Sequence, residues 1–480
     1  MKPSTRILSL ILTAVMMIPL LVSCGIGGGE TTEKDRPAET ESYTEANGYE
    51  LAVNNYNGKA INFYLWNGSN IYAEEDTGDS LNDSTYRRNA KVEDLYNVTF
   101  NIPEPEESYA HADWVAMLNN SILSGDDAYQ LVGGYPYRMA LETMSGRFHN
   151  LLDQPYLDFE QEWWPTNYTK KANLGGALYQ IIGNIDYSYY QMISAMVYNK
   201  EMAADLHVDG LYALVKDGKW TIDKLMAYSA LAESDTNGDG RMTAEDDRFG
   251  LVVNHNMAVD AFVVSFDERF TDYDENGMPV LLGLSDHYVE IQTLMTKFLL
   301  GQNDTLYTDT MSTPEFMEGR ALFEGGLLER AVAYRAMEND FGVLPYPKWD
   351  EEQEDYHTYI ALGNATAYCI PITADGAVSA NILEALDYFG YKTIMPAYCD
   401  KTLKGKTVRD EESQAMLELI FSHVDCDFTQ VYGFCFGDQK SPDLMLRMSL
   451  KNGGRSLATE WAKNKRLYDK TMSDLIEKLG

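Results

Sequence analysis

Apolar and polar positions alternate in blocks along the chain from about residue 59 onward, and the blocks predict strands and helices in turn. Residues 60–66, AINFYLW, read as a strand that runs into the loop WNGSN. Residues 82–96, NDSTYRRNAKVEDLY, have helical periodicity, and the apolar stretch NVTFNIP behind them predicts a second strand. Residues 113–124 repeat the plan as an amphipathic helix, followed by a turn at GDD and the strand YQLVGG. Such alternation predicts parallel strands joined by right-handed crossovers, an α/β layer. Ligands of these sheets meet the loops beyond the carboxyl ends of the strands, and Trp66, Asn67, Tyr135 and Tyr137 occupy those loops.

The middle third has a different rhythm. SAMVYNKEMAADL is a strand entering a helix, GKWTIDKLMAYSALAESD begins a longer helix with Thr221 as its cap, and DRFGLVV is a strand. Residues 286–300 and 314–322 are helical in period, as are 383–391, 412–421 and 455–479. DFGVLPYPKW carries two prolines in an extended run, which makes a poor core strand and a good crossing between lobes.

The N-terminus locates the chain. Lys2 and Arg6 precede a short apolar run, 7–21, that ends in LVSC. About 15 apolar residues suit a secretory signal better than a permanent span. Leu, a small residue, Ser and Cys resemble a bacterial lipobox, so Cys24 is expected to become a lipidated N-terminus with 1–23 as the signal peptide. Residues 24–57 are rich in Gly, Thr, Glu and Ser and are expected to form a flexible tether of roughly 30 Å reach. The glycines of GIGGG follow no strand and complete no nucleotide-binding pattern.

Charge then removes whole classes of function. A formal net charge of −36 argues against nucleic acid and anionic lipid surfaces as partners. The 33 tyrosines and seven tryptophans supply rings on which sugars stack, although most such rings fill cores. Cys369, Cys399, Cys426 and Cys435 remain after the anchor, and their three full pairings stay open. The seven histidines are scattered, without metal-ligand spacing.

One acidic loop stands out. In DTNGDGRMTAED, Asp235, Asn237 and Asp239 fall at alternate positions and Gly240 at the sharp turn, with Asp246 closing the loop. Arg241 adds a backbone carbonyl and Thr243 a side-chain or water-mediated oxygen, so structural Ca²⁺ is the expected cofactor. Aspartate rather than glutamate at the closing position is closer to the loops of extracellular dockerin modules than to a sensor EF-hand. A polar turn that happens to be acidic is the alternative. The stretch DYDENG, 272–277, lacks a closing acid and reads as a hairpin turn at Asn276-Gly277.

The order of segments resembles the bacterial extracellular solute-binding proteins of family 1, the maltose-binding-like components of ABC importers. The resemblance covers most of the mature chain. It rests on GDSLNDSTYRRNAKVEDLYNV, MVYNKEM, GKWTIDKLMAY with the acidic loop after it, EGRALF, FGVLPYPKWDEEQEDYHT and CDKTLKGKTVRDEES. It implies a two-lobe α/β fold of the periplasmic-binding-protein type II, with a ligand cleft between lobes joined by hinge crossings. Lobe 1 is expected from 58–184 plus 340–395 and lobe 2 from 185–339 plus 396–480, with NIDYSYY and GVLPYPK as crossings. The implied function is capture of a small polar solute, foremost an oligosaccharide, by a monomer that delivers it to a membrane permease. The calcium loop then becomes a staple within lobe 2.

Cleft residues do not transfer from the family, whose loops vary. The candidates chosen by position and chemistry are Trp66, Asn67, Tyr135 and Tyr137, the pair Trp163-Trp164, then Asp186, Tyr187 and Tyr189, and Glu324 beside two glycines. No catalytic residue is expected. Among rivals, a surface lipoprotein glycoside hydrolase needs two carboxylates about 5–10 Å apart across a cleft. With 74 acidic residues such a pair is always imaginable. There is no GxSxG, P-loop or HExxH motif, and a surface adhesin would show repeats, which are absent.

Overall fold

The computed structural model describes residues 41–44, 49–66, 70–103, 111–309, 314–403 and 411–479. Cys24 and Asn67 lie outside these described residues.

Two main sheets organise the chain. The first orders its strands as Val98–Asn101, Lys59–Leu65, Leu131–Gly134 and Ala367–Cys369, the first three parallel and the last antiparallel. The second orders them as Thr305–Thr308, Phe249–Asn254, Ala321–Leu327, Ser194–Asn199 and Phe341–Leu344. Its first three strands are parallel, and Ser194–Asn199 runs against both of its neighbours. Strands buried on both faces need continuous apolar sequence, and Phe249–Asn254 and Ala321–Leu327 are buried throughout.

Local chemistry explains the helix that follows the first strand. Asp79 accepts the amides of Leu81 (3.0 Å) and Asn82 (3.1 Å) and caps Ser80–Tyr96, which ends at Asn97 in the left-handed region. Its inner face repeats at helical spacing through Leu81, Thr85, Arg88, Val92 and Tyr96. Arg88 is buried, and its guanidinium donates to the carbonyls of Ile185 (2.7 Å) and Leu386 (2.9 Å). A buried cation is tolerated only when so bonded. Burial pushes this one down to about 10. The bonds tie the helix both to the chain leaving the first sheet and to the long helix Gly376–Leu403.

The crossings form a layer of their own. Ile193 bridges Ile360, and Thr358–Tyr359 pairs in parallel with Val424–Asp425. Asp425 is almost wholly buried there and accepts from Arg269 Nη2 (2.6 Å) and His357 Nδ1 (3.0 Å). Burial alone would raise this carboxyl, but His357 and Arg269 outweigh it and hold the group down to about 2.

Four expectations change. Residues 50–57 do not belong wholly to a tether: Glu50–Val53 pairs with Glu41–Thr44, and Leu51 and Val53 enter the core. Alternating apolar positions in ELAV give that strand a buried face. The segment 314–322 is not one helix but a single turn, Pro314–Met317, before the strand Ala321–Leu327, because Gly319 takes a positive φ of 74° between them. The segment 340–395 contributes a strand to each sheet, and Lys348 still pairs with Trp220 and Thr221, so the crossing falls beyond GVLPYPK and before Ala367. Residues 396–480 touch both halves: Phe428–Val431 packs on Pro136–Thr143, and Met445–Lys451 on Met257–Ser265. The hairpin at DYDENG forms as expected, between Thr271–Tyr273 and Pro279–Leu281. All four described cysteines are free thiols.

Candidate functional site

A cavity of about 390 Å³ lies where the two halves face one another. One wall comes from the first sheet: the strand Leu131–Gly134 delivers Tyr135, Tyr137 and Arg138 just beyond its carboxyl end. Pro136 at the first helical position fixes the turn that presents them. The opposite wall comes from the second sheet, where Phe249–Asn254 delivers Asn256 and Met257 at the start of the helix Met257–Ser265. The crossing residues 359–364 and parts of 430–451 complete it. Both sheets therefore aim the carboxyl ends of strands at one space, where α/β sheets place ligands.

The wall combines flat rings with hydrogen-bonding groups. Tyr135 is half-buried, lies on Trp66 with ring centroids 3.6 Å apart, and has its hydroxyl raised by burial. Arg138 is held over Phe434, 4.8 Å from the ring centroid, and Tyr137 meets the same ring edge-on at 5.4 Å. Arg447 Nε donates to Asp260 Oδ1 (3.0 Å) and is ion-paired with it, while Lys451 Nζ donates to Asn256 Oδ1 (2.7 Å). Asp443 is buried beside Ser441, which donates to it. Burial first, and the Asp427 charge next, push its carboxyl up to about 7. Amides at Asn256, Asn364, Gln430 and Gln439 add donors and acceptors. Rings for apolar faces and amides for hydroxyls suit a polyol ligand.

The sequence-chosen residues divide. Tyr135 and Tyr137 line the cavity, and Trp66 backs Tyr135 while its Nε1 donates to Thr366 Oγ1 (3.0 Å). Trp163 and Trp164 are elsewhere and structural: both indole nitrogens donate to the buried Glu384 carboxylate at 3.0 Å. With Tyr189 they border a second cavity of about 750 Å³, beside the helices Gly376–Leu403 and Glu411–Ser422, to which the strand-end loops of the two sheets do not contribute. Asp186 is buried and accepts from the Ser188 amide (2.8 Å) and the Tyr368 hydroxyl (2.7 Å), so it holds the crossing. Tyr187 lines neither cavity, and burial, then the Asp186 charge, raises it to about 12. Glu324 is fully buried in the central strand, ion-paired with Arg330, and lines neither of these two cavities. Arg138, Asn256, Gln430, Arg447 and Lys451 were not singled out from sequence. The Gly-aromatic run GFCFGDQKSPD, 433–443, was the available signal, since it reads as an aromatic loop with polar flanks.

The acidic loop joins the helix Ile222–Ala232 to the strand Phe249–Asn254. Asp235 accepts the amides of Gly238 (2.7 Å) and Gly240 (2.8 Å), and Asn237 Nδ2 reaches Asp246 (3.4 Å), so positions 3 and 12 meet across it. The neighbouring Asp247 accepts the amides of Thr236 (2.8 Å) and Thr243 (2.7 Å) and fastens the loop to its base. Among the described residues, no three His, Cys, Asp or Glu side chains group as metal ligands. The loop's other oxygens, from Asn237, Thr243 and the Arg241 carbonyl, are of the hard type calcium takes. Among the same residues no helix is long and apolar enough to cross a membrane.

Neither a protein-family model nor a curated protein sequence matches the chain. Solved structures do. An ABC substrate-binding protein from Listeria monocytogenes, in complex with cycloalternan, is 12% identical with a TM-score of 0.53, covering 87% of this chain and 99% of its own. Apo RafE from Streptococcus pneumoniae is 13% identical with a TM-score of 0.53, covering 88% and 99%. The maltose/maltodextrin-binding domain MalE from Bdellovibrio bacteriovorus, bound to maltotriose, is 16% identical with a TM-score of 0.50, covering 87% and 100%. The chain shares their two-lobe α/β fold.

Proposed function

We propose that this chain is an extracytoplasmic solute-binding protein that captures an oligosaccharide between its lobes and delivers it to an ABC-importer permease. One observation carries the reading: the carboxyl-end loops of both sheets and a crossing segment converge on a single cavity walled by tyrosines and amides. A ligand there touches both halves at once, so its binding energy favours the closed arrangement. The folds it resembles include proteins holding cycloalternan and maltotriose, which agrees with that chemistry. Tyr135 and Tyr137 would carry the sugar faces, and Asn256, Gln430 and their neighbours the hydroxyls. Lipidation at Cys24 would keep the monomer beside its permease. Ca²⁺ in the loop 235–246 would brace the second lobe by coordination, outside the cleft.

The test is a thermal-shift screen of the purified protein against oligosaccharides and short peptides. A ligand at about 100 times Kd stabilises the folded state by roughly 2.7 kcal/mol. The reading expects a clear shift from a saccharide that is recovered intact. A saccharide cleaved on incubation would instead establish a glycoside hydrolase, and a screen in which only peptides shift the midpoint would reassign the cargo.

A further inference from the structure

The charges around the cleft run against those of the chain. With a formal net charge of −36, a wall chosen at random would be acidic. This cavity is instead bordered by Arg138, Arg447 and Lys451, with Asp438 and Asp443 as its carboxylates. Each can be followed to a partner. Arg447 is neutralised by Asp260, and Asp443 is buried and turned onto Ser441. Arg138 stacks on Phe434 and has no carboxylate within ion-pair distance among the described residues. Lys451 is bonded to the neutral oxygen of Asn256, and burial together with the Arg447 charge holds its ammonium below the ordinary range. Among the described residues neither cation thus has a carboxylate within ion-pair distance, and Asp438 is the cavity's one exposed carboxylate, in a chain rich enough in acid to have supplied more.

We infer that the cargo of this cleft is an acidic oligosaccharide whose anionic substituent, a carboxylate or a sulfate ester, is received by Arg138 and Lys451. The inference rests on the saccharide reading above and narrows it. A guanidinium held over a ring, as Arg138 is over Phe434, can still give a forked bond to paired oxygens. Lys451 gives a mobile point charge from the opposite half, so an anionic substituent between them would also draw the lobes together. Neutral sugars would leave both cations desolvated without compensation on closure.

Isothermal titration of the purified full chain decides it. The probes are oligogalacturonides, their carboxyl-reduced neutral counterparts, sulfated oligosaccharides with their desulfated forms, and maltodextrins. The inference expects one acidic set to bind at least tenfold more tightly than its neutral counterpart at about 0.15 M salt. Arg138→Gln and Lys451→Gln should each weaken the acidic ligand about tenfold and more than the neutral one. Both side chains reach solvent, so the variants fold. Neutral saccharides binding as tightly as acidic ones, or acidic affinity indifferent to both substitutions, would overturn the inference and leave the saccharide reading standing. Failure of every saccharide, acidic and neutral, would remove the reading itself and the inference with it.

Discussion

Replacing Asp425 by asparagine removes one negative charge from the layer of crossings and leaves the side-chain volume nearly unchanged. The carboxylate is 4% exposed and takes Arg269 Nη2 at 2.6 Å and His357 Nδ1 at 3.0 Å on the same oxygen, while the other accepts the Cys426 amide (2.8 Å). Its folded pKa of about 2 lies below the ordinary 3.8. That gap corresponds to about 2 kcal/mol of stability at neutral pH. The sign follows from the direction. A depressed carboxyl stabilises the fold above its unfolded pKa, and the contribution is lost as pH falls through the folded one. About 1 kcal/mol of it should be gone by pH 3.

Asp425→Asn should therefore cost about 2–3 kcal/mol at pH 7, toward the low end for a broken buried pair, because Arg269 keeps Asp267 at 2.6 Å. Urea unfolding of both proteins at pH 7, 5 and 3 measures it. The difference should hold between pH 7 and 5 and shrink by about 1 kcal/mol at pH 3. A loss of equal size at every pH would refute the electrostatic account and make Asp425 a packing and hydrogen-bonding residue only.

Other outcomes follow from the same geometry. Asp443 is raised to about 7 by burial, so its neutral form stabilises the fold below pH 3.8 and that contribution is lost as pH rises through 7. Asp443→Asn should accordingly raise the thermal midpoint at pH 8 more than at pH 5, and equal shifts at both would contradict the assignment. A Cβ at Gly250 would overlap the Ser229 backbone, so Gly250→Ala should destabilise by about 1–3 kcal/mol in urea, with near-neutrality as the contrary result. Tyr137→Ala should weaken saccharide binding about tenfold by titration while leaving the far-UV spectrum unaltered. If Ca²⁺ occupies the loop 235–246, EDTA should lower the thermal midpoint and added calcium restore it, whereas Asp235→Ala should abolish the response.

Periodicity carried the elements because it is local. The helix Ser80–Tyr96 and the strands on either side of it were legible from spacing alone, and so was the hairpin at Asn276-Gly277, whose turn chemistry sits within two residues. The segment 314–327 shows the limit: its apolar residues fit a helical period, and only the left-handed Gly319 separates the turn from a fully buried strand. Tertiary partners were the harder part. Trp163 and Trp164 have polar neighbours in EQEWWPTNY and look fit for a surface, yet Glu384, 220 residues beyond Trp164, turns both indoles inward. Two glycines follow Glu324 as if to admit a ligand, but Gly325 makes room for Tyr346 and for Val253 of the neighbouring strand instead. The cleft draws its walls from four separate stretches, and of two of them 359–364 carries no motif and 430–451 only the Gly-aromatic run at 433–443. Tyr135 and Tyr137 are legible because a rule about strand ends applies to them directly, and the same rule reaches Arg138, whose side chain lacks the ring that marks a sugar-stacking surface. Lys451 had no such rule: on one turn of helix it is four residues from Arg447, and nothing local separates a pair of cations at a binding wall from a solvated face. What separates them is that, among the described residues, neither Arg138 nor Lys451 has a carboxylate within ion-pair distance in a chain that has 74, and such an arrangement exists only in the fold.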